Sequence, residues 1–66
     1  MKNNLKVRRA IKDITQADLA KSIGVSRQTI NAMEKGKYIP STVLSLKISK
    51  YFGKVLEEIF TLEETD

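Results

Sequence analysis

The sequence predicts an all-α domain of five short helices, and three observations indicate this class. Apolar residues recur at the three- and four-residue spacing of amphipathic helices along most of the chain. The three glycines and the single proline fall between those segments. The length of 66 residues allows one small domain, residues 1–66, with a modest core, because such a chain buries only about 60% of its unfolded surface.

The first two helices are predicted on either side of a capping motif. The first covers about Leu5–Asp13 and the second about Gln16–Ser22. Thr15 and Asp18 have the spacing of a capping box, in which each side chain accepts a hydrogen bond from the other residue's backbone amide. The apolar positions that predict these helices are Leu5, Val7, Ala10, Ile11 and Ile14, then Leu19, Ala20 and Ile23.

The third helix is predicted over about Arg27–Lys35. Gly24 can end the helix before it, since glycine adopts left-handed backbone angles without a Cβ penalty. Ser26 is a favourable N-cap residue, and Gly36 closes the helix. Two apolar residues three apart, Ile30 and Met33, face inward, which leaves Arg27, Gln28, Asn31 and Ala32 facing outward.

The last two helices begin after the proline. Ser41 is the expected cap of a fourth helix that ends at about Phe52 before Gly53, and Val55–Phe60 forms a short fifth helix without a side-chain cap. The segments Met1–Asn4 and Thr61–Asp66 are expected to be extended. The apolar residues of the fourth helix are Val43, Leu44, Leu46, Ile48, Tyr51 and Phe52.

The composition argues against an enzyme, a metalloprotein and a membrane protein. There is no cysteine and no histidine, which removes thiol nucleophiles, the commonest general base and the commonest zinc ligand. The acidic residues lack the spacing of a calcium loop. No more than two consecutive residues are hydrophobic, so neither a membrane span nor a signal-peptide core is predicted. We expect a cytoplasmic protein without a cofactor.

Charge is unevenly distributed along the chain. Residues 1–54 contain all twelve basic residues and three acidic ones, a net charge of +9, whereas residues 55–66 contain five acidic residues and no basic one, a net charge of −5. A basic body favours a polyanionic partner, with the acidic segment directed away from it. Charge alone does not separate DNA, RNA and anionic lipid. Four aromatic residues provide little of the base stacking that single-stranded RNA requires.

Residues 16–35 meet the requirements of a helix-turn-helix. A small residue, Ala20, stands where the second helix crosses, and Gly24 follows four positions later. The second helix of this motif enters the major groove of DNA. Arginine can bind guanine O6 and N7 with two hydrogen bonds, and glutamine or asparagine can bind adenine N6 and N7 in the same way. The predicted base-contacting residues are Arg27, Gln28 and Asn31.

The stretch Thr15–Lys37 resembles the helix-turn-helix family of phage repressor and Cro proteins, also described as lambda-repressor-like or XRE-type. Pro40-Ser41, Leu46–Gly53 and Leu56–Phe60 fit the same pattern, so the resemblance covers about residues 5–60. It is closest to short stand-alone regulators such as the cytolysin repressor. The resemblance implies a five-helix DNA-binding domain extended by a small antiparallel ribbon of the two chain ends. It also implies a dimeric repressor on a near-palindromic operator.

The resemblance also suggests roles for individual residues. It implies a phosphate contact for Gln16 and a structural ion pair between Arg9 and Glu34 beneath the motif. Candidate phosphate contacts flanking the recognition helix are Thr29, Lys35, Lys37 and Tyr38, although Tyr38 can instead pack under its loop. The acidic segment, residues 55–66, is a candidate dimerisation segment. Its candidate dimer residues are Leu56, Ile59, Phe60 and Leu62, with packing inside one subunit as the alternative.

The function that we predict is sequence-specific regulation of transcription, most simply repression by occupying an operator. Two alternatives remain at this point. One is an antitoxin-type autorepressor that acts with a protein partner. The other is a protein-interaction module that has the fold but does not bind DNA specifically.

Overall fold

Five helices and a two-stranded antiparallel ribbon form the protein in a computed structural model that describes residues 1–66. The all-α prediction and the expected ribbon are both confirmed. The helices are α1 (Leu5–Lys12), α2 (Gln16–Ile23), α3 (Arg27–Glu34), α4 (Thr42–Phe52) and α5 (Leu56–Ile59). The strands are β1 (Lys2–Asn3) and β2 (Phe60–Thr61).

The ends of α1, α2, α3 and α5 differ by one residue from the predicted ones. Helix α1 ends at Lys12 because Asp13 adopts a left-handed conformation with φ of 55°. Helix α3 ends at Glu34, with Lys35 as its C-cap. Helix α5 is shorter than predicted because Val55 is its N-cap and Phe60 is already extended in β2. As predicted, Val55 provides no side-chain cap.

Hydroxyl side chains cap the N-termini of α2, α3 and α4. The capping box is present: Asp18 N–H donates to Thr15 Oγ1 and Thr15 N–H donates to Asp18 Oδ2, both at 3.0 Å. These bonds from Thr15 hold the pKa of Asp18 below its usual value. Ser26 accepts from the Thr29 amide, and Ser41 caps α4 in the same way. The hydroxyl caps satisfy backbone donors that have no partner within the helix.

The core lies where α2, α3, α4 and α5 meet. It consists of nine buried apolar side chains: Leu5, Leu19, Ala20, Ile23, Ile30, Met33, Leu44, Ile48 and Ile59. Of the apolar residues that predicted α1, only Leu5 is buried, and Val7 and Ile11 remain exposed because the short helix presents a single edge to the core. Tyr51, Phe52 and Phe60 are half-buried at the margin of this core.

The ribbon is attached to the end of α3. Lys2 pairs with Thr61 and Asn3 with Phe60. The Asn3 side chain donates to the backbone carbonyl of Met33 at 2.8 Å, and its own oxygen accepts from the Leu5 amide. One side chain therefore joins the ribbon, the start of α1 and the last turn of α3. No helix of the chain has the length and apolarity needed to cross a membrane.

Candidate nucleic-acid interface

The helix-turn-helix is formed by α2, a three-residue turn and α3. Gly24 has a φ of +77°, in the left-handed region that favours glycine, and a Cβ there would meet no atom within 4 Å. The turn is therefore set by backbone conformation rather than by close packing. Val25 N–H donates to the Ala20 carbonyl at 3.0 Å, and the buried side chains of the two helices hold them together.

Four polar side chains meet at the exposed side of this motif. Gln16, Arg27, Gln28 and Asn31 line one shallow depression, and no apolar residue contributes to its lining. Arg27 and Gln28 are exposed, whereas Gln16 and Asn31 are half-buried. The structure thus brings the three predicted base-contacting residues together and adds Gln16 from the neighbouring helix. These are the donors and acceptors that match the major-groove edges of guanine and adenine.

Beneath this depression, Glu34 accepts hydrogen bonds from two helices. Arg9 of α1 contacts Glu34 through its Nε and, at 3.0 Å, through its Nη2, while its Nη1 donates to the Ile14 carbonyl. Gln16 Nε2 donates to Glu34 Oε1 at 3.1 Å. Burial raises the pKa of Glu34, but the bonds from Arg9 and Gln16 outweigh it and leave this pKa below its usual value. Glu34 therefore remains ionised, and its bonds fix the positions of α1 and α2 relative to α3.

The candidate phosphate contacts that flank α3 are spread over three places. The Thr29 hydroxyl lies on the first turn of α3, 3.0 Å from the Ser26 hydroxyl. Lys37 and Tyr38 are exposed in the segment after α3. Lys35 lies apart from the polar depression, since it lines a separate one at the end of α3. The Tyr38 side chain is 43% exposed and is not packed under its loop.

The four candidate dimer residues divide between core and surface. Ile59 is 1% exposed and belongs to the core of one subunit, which is the alternative that the sequence left open for these four residues. Leu56 and Phe60 are half-buried, and Leu62 is 78% exposed. These three side chains line one groove together with Met1 of the ribbon end.

Sequence reasoning missed the asparagines that fasten the ribbon. Asn3 bonds to Met33 as described, and Asn4 Nδ2 donates to the Glu58 carbonyl at 2.8 Å, to which Arg8 Nη2 also donates at 3.2 Å. An Asn-Asn pair directly before a predicted helix was the available signal. Its partners lie 30 and 54 residues away, so local spacing does not identify them.

Comparison with known proteins agrees with this geometry. The chain matches the family described as helix-turn-helix over residues 5–59. It is 58% identical over 66 residues, the whole of both chains, to an uncharacterized HTH-type transcriptional regulator of Methanocaldococcus jannaschii. It is 48% identical to the HTH-type transcriptional regulator YgzD of Bacillus subtilis, covering 97% of each chain. It is also 33% identical to the cryptic phage CTXphi transcriptional repressor RstR of Vibrio cholerae, over 88% of this chain and 52% of that protein. The chain therefore belongs to the helix-turn-helix family of DNA-binding transcriptional regulators, which are not enzymes.

Proposed function

We propose that this protein is a sequence-specific repressor that binds a near-palindromic operator in double-stranded DNA as a homodimer. The observation that carries the proposal is the convergence of Gln16, Arg27, Gln28 and Asn31 on one exposed depression. Repression requires no further surface, since a protein that occupies an operator overlapping a promoter blocks transcription. The similarity to the phage repressor RstR supports this direction of regulation.

In the proposed complex, α3 lies in the major groove and its N-terminal half reads base edges. Arg27 pairs with guanine, and Gln28 and Asn31 with adenine, each good bidentate pair discriminating by about 1–3 kcal/mol. Gln16 contacts a phosphate at the N-terminus of α2, where unpaired amides and the helix dipole favour an anion. Further backbone contacts come from the residues that flank these positions, namely Thr29, Lys35, Lys37 and Tyr38.

The proposed dimer uses the groove of Leu56, Phe60 and Leu62. A domain of 66 residues without cysteines obtains its stability from a compact core, from self-association or from both, and this expectation supports the proposed dimer. A two-fold dimer presents two recognition helices to one side of the duplex, which places the half-sites about one helical turn, ~34 Å, apart.

Selection of bound sequences from randomised duplex DNA tests the proposal. The purified protein is incubated at physiological ionic strength, about 0.15 M, and the bound DNA is sequenced. A two-fold symmetric motif with half-site centres about 10 bp apart is expected. An unenriched pool whose binding disappears as salt rises would mean charge-driven binding only, and would contradict sequence-specific recognition.

A further inference from the structure

A second concave surface lies at the opposite end of α2 from the polar depression. Lys21, Lys47 and Lys50 line it, together with Ile23 and Tyr51, and Gly24 leaves part of it without a side chain. Lys12 borders this surface, because its Nζ lies over the Tyr51 ring at 4.8 Å from the ring centre. We call this surface the lysine groove.

The four lysines of this groove form no ion pairs. All four are exposed, and the ion pairs of the structure involve only the Met1 amine and Arg9 as cations. Lys12, Lys21 and Lys50 lie in the last turns of α1, α2 and α4, where a positive charge stabilises the helix dipole. Lys47 has no such position, so helix stabilisation does not account for its place in the groove.

The groove differs in chemistry from a phosphate-binding surface. Its accessible apolar surface consists of the half-buried ring of Tyr51 and the stems of the lysines, because the lining residue Ile23 is only 4% exposed. A DNA backbone offers phosphates but no apolar side chain to cover such a lining. An apolar side chain next to carboxylates complements both the lining and the charge.

The chain itself contains such a segment. Leu62 is 78% exposed and stands beside Glu63 and Glu64, within residues 61–66, which contain three acidic residues and no basic one. We propose that the lysine groove binds the acidic segment Thr61–Asp66 of a second copy of this chain, with Leu62 against the apolar lining and Glu64 beside the lysines.

Geometry makes this contact intermolecular. Glu63 and Asp66 both contact the Met1 amine, at 3.2 and 2.8 Å, and Glu63 shares a depression with Glu34 at the end of α3. Gln16, at the start of α2, bonds to Glu34, so the acidic segment lies at the opposite end of α2 from the groove. An eight-residue helix is about 12 Å long. The segment therefore cannot occupy the groove of its own chain while these contacts hold.

Such a contact is head-to-tail, because it joins two different surfaces. One groove is left unused at one end and one segment at the other, so copies add in a row unless the geometry closes a ring. A copy whose Leu62 occupies a neighbour's groove no longer offers Leu62 to the proposed dimer contact, which in that copy consists of Leu56 and Phe60. In solution the contact is weak, since each exposed ion pair changes an association constant by no more than about fivefold.

Charge exchange between groove and segment tests the proposal without DNA. The full-length protein with Lys47→Glu and Lys50→Glu loses the groove charge, and the protein with Glu64→Lys loses segment charge. Sedimentation velocity at low ionic strength and high protein concentration should detect assemblies larger than a dimer in the parent protein. Each variant alone should weaken that association, by about tenfold for the double variant.

A mixture of the two variants supplies the decisive measurement. It recreates opposite charges at the exchanged positions, because the carboxylates introduced at positions 47 and 50 of the first variant meet the ammonium group introduced at position 64 of the second. The unchanged lysines of the second variant also meet the unchanged Glu64 of the first. Larger assemblies should reappear in the mixture and dissolve between about 0.1 and 1 M salt, as the screening length falls from ~10 to ~3 Å. A control with Lys37→Glu and Lys54→Glu, which makes the same charge change outside the groove, should associate like the parent protein.

Three results would overturn the proposal. One is a parent protein that forms nothing larger than a dimer under these conditions. Another is a mixture that fails to recover association although both variants give the parent's circular dichroism spectrum. The third is an unchanged association of the groove variant accompanied by weaker binding to DNA, which would make the groove a phosphate contact. Association is measured in solution without DNA. A result that overturns the groove contact therefore leaves the proposed operator binding untouched, and the two proposals are tested separately.

Discussion

Gln16, at the first position of α2, donates a hydrogen bond from Nε2 to Glu34 Oε1 in the last turn of α3, at 3.1 Å. The same carboxylate binds the Arg9 guanidinium of α1. One acidic side chain thus joins a proposed phosphate-contacting residue to the helix that carries the proposed base-contacting residues. The orientation of α3 and the position of Gln16 depend on a common partner, so loss of Glu34 should disturb both.

The first prediction concerns stability and pH. Because the pKa of Glu34 is lower in the folded protein than the ordinary value of about 4.3, its ionised form stabilises the fold above that pH. This stabilisation is lost as pH falls through the folded pKa. We expect Glu34→Gln to reduce the free energy of unfolding by about 1.5–3 kcal/mol at pH 7, the range for hydrogen bonds to charged groups.

Urea denaturation at pH 7 and pH 3 checks this prediction. The difference between Glu34→Gln and the parent protein should shrink at the lower pH, because pH 3 lies below the ordinary pKa of glutamate and the unfolded chain gains a proton that the folded carboxylate resists. Glu57→Gln is the matched control, because Glu57 is exposed and takes part in none of the ion pairs. A Glu34 variant as stable as this control at pH 7 would contradict the structural role of the network that Glu34 forms with Arg9 and Gln16.

The second prediction concerns base recognition by Gln28. The side chain is exposed on α3 and lines the polar depression, so Gln28→Ala should leave folding intact. It should flatten the base preference at one or two operator positions, at a cost of about 1–3 kcal/mol, while non-specific affinity changes little. Binding to a set of single-base operator variants measures this, with Lys21→Ala at the far end of α2 as the control. Unchanged preference would show that the recognition face has been placed wrongly.

The third prediction separates a phosphate contact from a solvated lysine. Lys37 is exposed in the segment after α3, and Lys37→Ala should weaken binding to all DNA sequences similarly. The slope of log affinity against log salt should fall by about one unit. Lys54→Ala removes the same charge before α5 and should leave the slope unchanged. Equal slopes for the two variants would remove Lys37 from the proposed interface.

The fourth prediction concerns the dimer. Leu62 is 78% exposed within the groove that also contains Leu56 and Phe60. A charge at this position should shift the protein from dimer to monomer without unfolding it, because desolvating an unpaired carboxylate is costly. Analytical ultracentrifugation at high salt, where head-to-tail contacts are screened, compares Leu62→Glu with Val7→Glu, whose site on α1 is 58% exposed. Equal dissociation constants for the two variants would place the dimer contact elsewhere.

The sequence by itself determined the helices and the helix-turn-helix, because their signals are local. Thr15 with Asp18, Ser26 and Ser41 are caps that act within three residues, and Gly24 supplies the left-handed turn at its own position. The spacing of apolar residues within one helix indicated the inner stripes of α2 and α3. Family resemblance supplied the ribbon and the ion pair beneath the motif, which spacing alone does not predict.

Only the tertiary structure decided which residues meet across the chain. It buried Ile59 in one subunit while leaving Val7 exposed, although both are apolar and lie in helical segments. It connected Asn3 to Met33 and placed the lysines of α2 and α4 along one groove. These relations depend on how helices pack and on where the chain ends return, since burial and charge clustering arise from contacts between segments distant in sequence.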